Sequence, residues 1–122
     1  MRVLIVDGAN VVGSRPDGWW RDRAGAAERL HEAIAGADLG HDLIVLVLEG
    51  AAKPGWPAGA DGALHTVHAA GSGDDAIVEQ AHARSSGGVD VVVVTADREL
   101  RERVAAAGAS CVGPSWLLDR LS

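Results

Sequence analysis

MRVLIVDGAN, residues 1–10, contains a continuous apolar run at positions 3–6 that ends directly in an aspartate and a glycine. Four apolar residues in a row, without polar alternation, are typical of a central strand in a parallel sheet covered on both faces. Similar runs occupy Leu43–Leu48 and positions 91–94, and weaker strands are predicted at Leu64–His68 and positions 109–112.

Amphipathic helices are predicted between these strands. In positions 22–37, Ala26, Leu30 and Ile34 recur at helical spacing, and shorter helical stripes occupy positions 74–84 and 97–107. A closing helix begins at Pro114, and positions 8–21 and 49–62 are predicted as loops. This alternation of strands and helices indicates one domain over residues 1–122, a three-layer α/β/α sandwich around a mostly parallel five-stranded sheet.

The composition narrows the functional classes. The formal net charge is −6, which argues against a protein that captures nucleic acid through a broad basic face. Cys111 is the only cysteine, and the first residues lack the apolar length of a signal peptide or membrane span. We therefore expect a cytoplasmic protein without membrane contact. His31, His41 and His82 are expected at the surface.

Acidic residues follow the predicted strands at the points where those strands end. In an open α/β sheet, ligands bind beyond the carboxyl ends of the strands, so these side chains are expected to share one edge. The five positions are Asp7, Glu49, Asp74, Asp75 and Asp97.

Each of these residues also has a purely structural explanation. Asp74 and Asp97 suit helix N-caps, Asp7 before a glycine suits a turn, and Glu49 suits a solvated loop. Together, however, clustered carboxylates repel one another unless a divalent cation lies among them. Oxygen-only ligands favour Mg²⁺ or Mn²⁺ over zinc. The coincidence therefore favours a metal site for phosphodiester cleavage.

Other residues near this edge are candidates for substrate contacts. Asn10 could hold a carboxylate or a phosphate oxygen, and Thr95 could orient a carboxylate or contact substrate. Arg15 and Arg98 could hold phosphates. Trp19 and Trp20 follow a turn beside the predicted site, where they could stack on unpaired bases or simply complete local packing.

Three motifs, IVDGANVVG (5–13), GSGDDAIVEQA (71–81) and VVVVTADRELRERVAAAGA (91–109), together resemble the NYN domains. These form a branch of the PIN-like metal-dependent nucleases, and the resemblance is greatest to the YacP-type members. It implies a PIN-like sheet of five parallel strands, dependence on Mg²⁺ or Mn²⁺, and endonucleolytic RNA cleavage. The family's acidic residues carry over onto Asp7, Asp74 and Asp97, whereas Asp75 is either a further ligand or an exposed neighbour. Glu49 stands where many members carry aspartate.

The sequence therefore predicts a metal-dependent endoribonuclease, with Asp7, Asp74, Asp75 and Asp97 as catalytic residues and Glu49 as an additional ligand. Its expected partner is single-stranded RNA, and the oligomeric state, a homodimer included, stays open. Two alternatives are a non-catalytic module that binds RNA or protein through the same fold, and a metal-dependent phosphohydrolase of small nucleotides.

Overall fold

A six-stranded sheet forms the centre of the computed structural model, which describes residues 1–121. The strands are β1 (Arg2–Asp7), β2 (Leu43–Leu48), β3 (Gly59–Asp61), β4 (Leu64–His68), β5 (Asp90–Val94) and β6 (Ser110–Val112). Their order across the sheet is β3-β4-β2-β1-β5-β6. All neighbouring strands are parallel except β3 and β4, which pair in antiparallel fashion.

Helices cover both faces of this sheet. They are α1 (Gly8–Gly13), α2 (Arg23–Ala35), α3 (Gly73–Arg84), α4 (Arg98–Ala106) and α5 (Pro114–Leu121), with 3₁₀ segments at Trp19–Arg21 and Gly50–Gly55. Apolar residues of α3 and α4 form one core with alternate strand residues, and those of α1, α2 and α5 form the other. The three-layer α/β arrangement is thus confirmed. None of the described helices has both the length and the apolar character needed to cross a membrane.

The order of the strands explains where a site can form. From β1 the chain moves outward through β2 to β4, then returns across β1 to add β5 and β6 on the other side. The loops after β1 and β5 consequently leave the sheet towards opposite layers. This divergence opens a crevice at the carboxyl ends of the two strands, which is where open α/β sheets bind ligands.

The predicted strand count of five was wrong because the segment 49–62 is not all loop. β3 forms there, although Gly59, Ala60 and Asp61 are all exposed and none is a strong strand former. It pairs with β4 because only two residues connect the two strands, a length typical of hairpins. The first of them, Gly62, has φ +60°. Local turn chemistry therefore created a strand that the apolar pattern did not indicate.

The predicted loop over positions 8–21 was also too simple, because α1 begins directly after β1. Asp7 caps this helix by accepting a hydrogen bond from the Asn10 backbone N–H, and Val11 is fully buried. Capping and burial thus outweigh the modest helix propensity of the sequence GANVVG.

The prediction that His31 lies at the surface was wrong, since its side chain is only 1% exposed. Its ring stacks on that of Trp56, with centroids 3.7 Å apart and an interplanar angle of 14°. The 3₁₀ segment Gly50–Gly55 ends at Trp56 and packs along α2, so the helix is covered on a flank that helical periodicity marked as polar. His82 is exposed as expected.

Replacing Gly8 by alanine tests how tightly α1 packs on the end of β2. A Cβ at Gly8 would lie 2.6 Å from the carbonyl oxygen of Val47, so the helix or strand would have to shift. We expect Gly8→Ala to lower the free energy of unfolding by about 1–3 kcal/mol in urea denaturation. Gly71→Ala is the control, because a Cβ at Gly71 meets no atom within 4 Å. Equal stability of the two variants would contradict this packing.

Candidate functional site

One pocket lies at the carboxyl edge of the sheet, and its lining is mainly acidic. It has a volume of about 220 Å³ and no lysine or arginine in its lining. We call it the acidic pocket; its lining residues are Asp7, Ala9, Asn10, Glu49, Asp74 and Asp97. The structure thus brings together four of the five acidic residues singled out in the sequence.

Four different elements supply these carboxylates. Asp7 is the last residue of β1, and Glu49 directly follows β2. Asp74 lies in the first turn of α3, and Asp97 is the N-cap of α4. Parallel strands end at the same edge, so residues distant in sequence meet there without any local motif holding them together.

A hydrogen-bond network fixes Asp7 between β1 and the segment after β5. The Thr95 hydroxyl donates to Oδ2 of Asp7 at 2.9 Å, and the Asn10 backbone N–H donates to Oδ1 at 3.3 Å. Thr95 in turn accepts from the Asp97 backbone N–H at 3.2 Å, and Asn10 Oδ1 accepts from the Ala96 backbone N–H at 2.8 Å. Asp7 and Thr95 are both buried, so the hydrogen bond between them is shielded from water, whereas that between Asn10 and Ala96 is exposed.

Two of the other carboxylates, those of Glu49 and Asp97, are held by backbone donors. Glu49 Oε2 accepts from the Gly73 backbone N–H at 2.7 Å, which joins the end of β2 to the start of α3. Asp97 Oδ1 accepts from the Leu100 backbone N–H at 2.9 Å, as expected of an N-cap. Both groups therefore have structural partners as well as a place in the pocket lining.

Burial and mutual repulsion oppose ionisation in the acidic pocket. Burial raises the pKa of Asp7 to about 6, against the hydrogen bonds from Thr95 and Asn10, and the charges of Asp74 and Glu49 add to the rise. Burial also raises the pKa of Asp74, with further contributions from the charges of Asp97 and Glu49. The pocket thus concentrates negative charge that no cation in its lining offsets.

The side chains as they lie do not form a ready-made metal site. Within residues 1–121, no group of three or more His, Cys, Asp or Glu side chains is arranged so that it could hold a metal ion. Glu49 and Asp97 point an oxygen at backbone N–H groups instead. Sharing one ion would require these carboxylates to turn towards each other.

Asp75, which the sequence grouped with the catalytic and metal-binding residues, is not brought into the acidic pocket. Its side chain is exposed, and its Oδ1 accepts from Nη2 of Arg103 at 2.8 Å. Successive residues of a helix point about 100° apart, so Asp74 and Asp75 cannot both face the same pocket.

The predicted substrate contacts are spread over several surroundings. Thr95 is fully buried and contacts Asp7, so it supports the pocket from behind. Arg98 is exposed beside Asp97. Arg15 lines a separate small depression between α1 and α2, shared with Asp17 and Arg29. Trp20 is 56% exposed and lines no described pocket.

A second, larger cavity adjoins the acidic pocket, and sequence reasoning missed it. It has a volume of about 310 Å³ and shares Ala9 and Glu49 with the acidic pocket. We call it the side cavity; its lining residues are Gly8, Ala9, Val12, Trp19, Arg23, Ala27, Leu48, Glu49, Gly50, Ala51, Ala52 and Gly71. Trp19 gave a signal for it in the sequence, but position alone did not distinguish Trp19 from Trp20.

Solved structures with the same fold include Rae1 (YacP) from Bacillus subtilis and a tryptophan-to-leucine mutant of it. The first matches with a TM-score of 0.81 over 99% of this chain and 74% of that chain, at 19% identity. The mutant matches with a TM-score of 0.77 over 99% and 75%, at 20% identity. No protein-family profile and no curated protein sequence matches this chain. The likeness establishes a mixed α/β fold consistent with the PIN-like type.

Replacing Asp7 by asparagine should stabilise the protein at neutral and alkaline pH in the presence of chelator. The folded-state pKa of Asp7 is about 6, above its ordinary 3.8, so the folded state loses stability as the pH rises and Asp7 ionises. Asn removes that penalty and keeps an oxygen for the Asn10 backbone N–H. We expect Asp7→Asn to raise the free energy of unfolding by about 1–3 kcal/mol at pH 8, with the gain shrinking as the pH falls from about 6 towards 4.

Urea denaturation over that pH range measures the effect. Asp90→Asn, at the exposed start of β5, controls for the loss of one negative charge far from the pocket. A pH-independent difference, or a less stable Asp7→Asn protein at pH 8, would show that Asp7 is not held under electrostatic strain.

Proposed function

We propose that this chain is a metal-dependent ribonuclease that cleaves phosphodiester bonds within RNA. The observation that carries the proposal is the convergence of Asp7, Glu49, Asp74 and Asp97 on one pocket without lysine or arginine. The sequence resemblance to YacP-type NYN nucleases and the fold likeness to Rae1 (YacP) both support an RNA-cleaving function.

The donor set of the acidic pocket fits Mg²⁺ or Mn²⁺. It offers carboxylate oxygens and the Asn10 amide, which are the hard ligands that these ions prefer. Burial, and to a lesser extent the neighbouring carboxylates, raises the pKa values of Asp7 and Asp74, and a divalent cation would favour the ionised form of both. When bound, such an ion lowers the pKa of an attacking water and offsets the charge that develops on the phosphate.

The chain's own side chains would hold the ion and position the RNA. Asp7, Glu49, Asp74 and Asp97 are the proposed ligands. The last three can reorient because they lie at the pocket's partly exposed rim. Asp7 is less free, because the Thr95 hydroxyl holds one of its oxygens in a fixed direction. Arg98 is exposed at the start of α4, and we assign it a contact with an RNA phosphate.

Cleavage of labelled single-stranded RNA is the direct test of this proposal. We expect cleavage with Mn²⁺ or Mg²⁺ and none with chelator. Asp7→Asn and Asp97→Asn should each lower kcat/KM by at least about 100-fold, because each removes one charged ligand. Asp90→Asn, at the opposite edge of the sheet, should retain full activity. Metal-independent cleavage, or full activity of both pocket variants, would refute the proposal.

Two further arms of the same assay separate the alternatives. Asp75→Asn tests whether Asp75 acts in the acidic pocket or only in its surface ion pair with Arg103. Only a role in the pocket predicts a loss of kcat/KM as large as that of Asp97→Asn. Hydrolysis of nucleoside triphosphates while RNA remains intact would identify a small-nucleotide phosphohydrolase instead.

Thermal unfolding gives a test of metal binding that does not depend on activity. A ligand that binds only the folded state raises the melting temperature by mass action. At a Mn²⁺ concentration about 100 times Kd, which adds about 2.7 kcal/mol of stability, we expect a rise of about 10 °C. Asp7→Asn and Asp97→Asn should each lose most of that rise, whereas Asp90→Asn should keep it. An unchanged melting temperature for the parent protein would contradict a metal site.

A non-catalytic module is the second candidate, and one observation favours it. As the side chains lie, the described residues contain no ready-made metal site. Such a module would bind RNA without metal and leave it intact, and its melting temperature would not respond to Mn²⁺. The two experiments above therefore separate a degenerate site from an active one.

A further inference from the structure

The side cavity lies beside the acidic pocket and has the dimensions of a small-ligand site. Ala9 and Glu49 belong to both linings, so these two residues mark where the two spaces adjoin. Its volume of about 310 Å³ is at the lower limit for ligand pockets, which suits a single ring system rather than a larger cofactor.

The walls of the side cavity combine flat, polarisable groups with small apolar side chains. The guanidinium carbon of Arg23 lies 5.0 Å from the ring centroid of Trp19, and both residues line the cavity. Opposite elements contribute Val12, Leu48 and Ala52. Aromatic rings and guanidinium planes are the surfaces on which proteins stack unpaired bases.

The far wall is held rigidly although it looks like a loop in the sequence. It consists of the 3₁₀ segment Gly50–Gly55, which the stack of Trp56 on His31 fastens to α2. Nε2 of His68 donates to the carbonyl oxygen of Trp56 at 2.7 Å, so β4 fastens the same residue from the other side. The cavity is therefore present without a ligand.

We propose that the side cavity binds one unpaired nucleobase of the RNA whose scissile phosphate occupies the acidic pocket. This inference rests on the proposed ribonuclease function and assigns the substrate contact that selects single-stranded RNA. A base in the cavity would lie against the Trp19 and Arg23 planes. Gly8, Gly50 and Gly71 line the same cavity and leave room for a flat ring because they have no side chain.

The charge distribution favours a base over other small ligands. Arg23 and Glu49 are the charged residues of the side cavity's lining, and their opposite formal charges leave no net charge to attract a free carboxylate or phosphate. An uncharged planar ring does not depend on such attraction. A base in a strand of RNA also brings a neighbouring phosphate to the acidic pocket, which an isolated apolar ligand does not do.

Binding is tested first without metal and without catalysis. Adenosine or cytidine is titrated into the full chain in the presence of chelator, and the indole N–H signals of the tryptophans are followed by NMR. Each signal is assigned from a variant in which one tryptophan is replaced. We expect the Trp19 signal to shift with either nucleoside and the Trp116 signal to stay unmoved, because Trp116 packs under Arg120 on α5. Ribose alone should shift neither. No Trp19 shift, or an equal shift with ribose, overturns the proposal.

Kinetics on single-stranded RNA with Mn²⁺ provide the second test. Trp19→Ala should lower kcat/KM by about 5- to 150-fold, the range expected for losing one base stacked on an aromatic side chain. Trp19→Phe should retain most activity. Trp20→Ala, a loss of the same residue type from an exposed position, should stay within about twofold. A larger loss for Trp20→Ala than for Trp19→Ala would refute the assignment.

A second variant fills the side cavity without removing a side chain, so that the test does not depend on correct folding of Trp19→Ala. Ala51 is exposed on the 3₁₀ segment and lines the cavity, so Ala51→Leu should occupy the space of a base without removing any packing. We expect a loss of kcat/KM comparable to that of Trp19→Ala. RNA cleavage unaffected by both variants would overturn the base site and leave the ribonuclease standing. Nucleoside binding at Trp19 in a chain that cleaves no RNA would refute the ribonuclease and leave the binding of a base in the side cavity standing.

Discussion

The hydrogen bond from the Thr95 hydroxyl to the Asp7 carboxylate joins the end of β1 to the segment that follows β5, the neighbouring parallel strand. It is fully buried and spans 88 residues of sequence. Because Asp7 also caps α1, and Thr95 also accepts from the Asp97 backbone, the bond sets the direction in which both following segments leave the sheet. The acidic pocket exists because this connection holds two carboxylates at one crevice.

Such a pocket is unfavourable for stability by itself. A carboxylate with a pKa near 6 is charged at neutral pH in surroundings that favour its neutral form. A chain that needed Asp7 only as a helix cap would be more stable with asparagine or serine there, since both cap as well. The strain is therefore best explained by function, because a cation in the pocket would turn the same repulsion into binding affinity.

Much of this architecture was predictable because apolar runs report directly on buried parallel strands. Leu43–Leu48 and Leu64–His68 form strands as predicted, and the alternation with amphipathic helices indicated the layers correctly. What failed depended on partners that are distant in sequence. His31 is buried by a 3₁₀ segment some twenty positions further along the chain, and no helical periodicity contains that information.

The candidate site was likewise predictable only in part. Strand-end positions predicted that Asp7, Glu49, Asp74 and Asp97 would meet, since topology alone decides it. Strand-end positions alone left Asp75 in the set, although the family resemblance already favoured Asp74. They could not separate Trp19 from Trp20, which requires the turn of the 3₁₀ segment that carries both.

The two segments predicted as loops have a common role in the fold. Positions 8–21 and 49–62 contribute most of the side cavity, and both are ordered through contacts with α2: the first by the α1 packing, the second by the stack of Trp56 on His31. In α/β proteins the sheet positions reactive groups, whereas the connecting segments determine what fits beside them. Here the carboxylates belong to the sheet edge and the flat, apolar walls belong to the connections. In the proposed ribonuclease, chemistry and selectivity are thus encoded in separate parts of the chain, and Glu49, which directly follows β2 and begins the second connection, lies where the two meet.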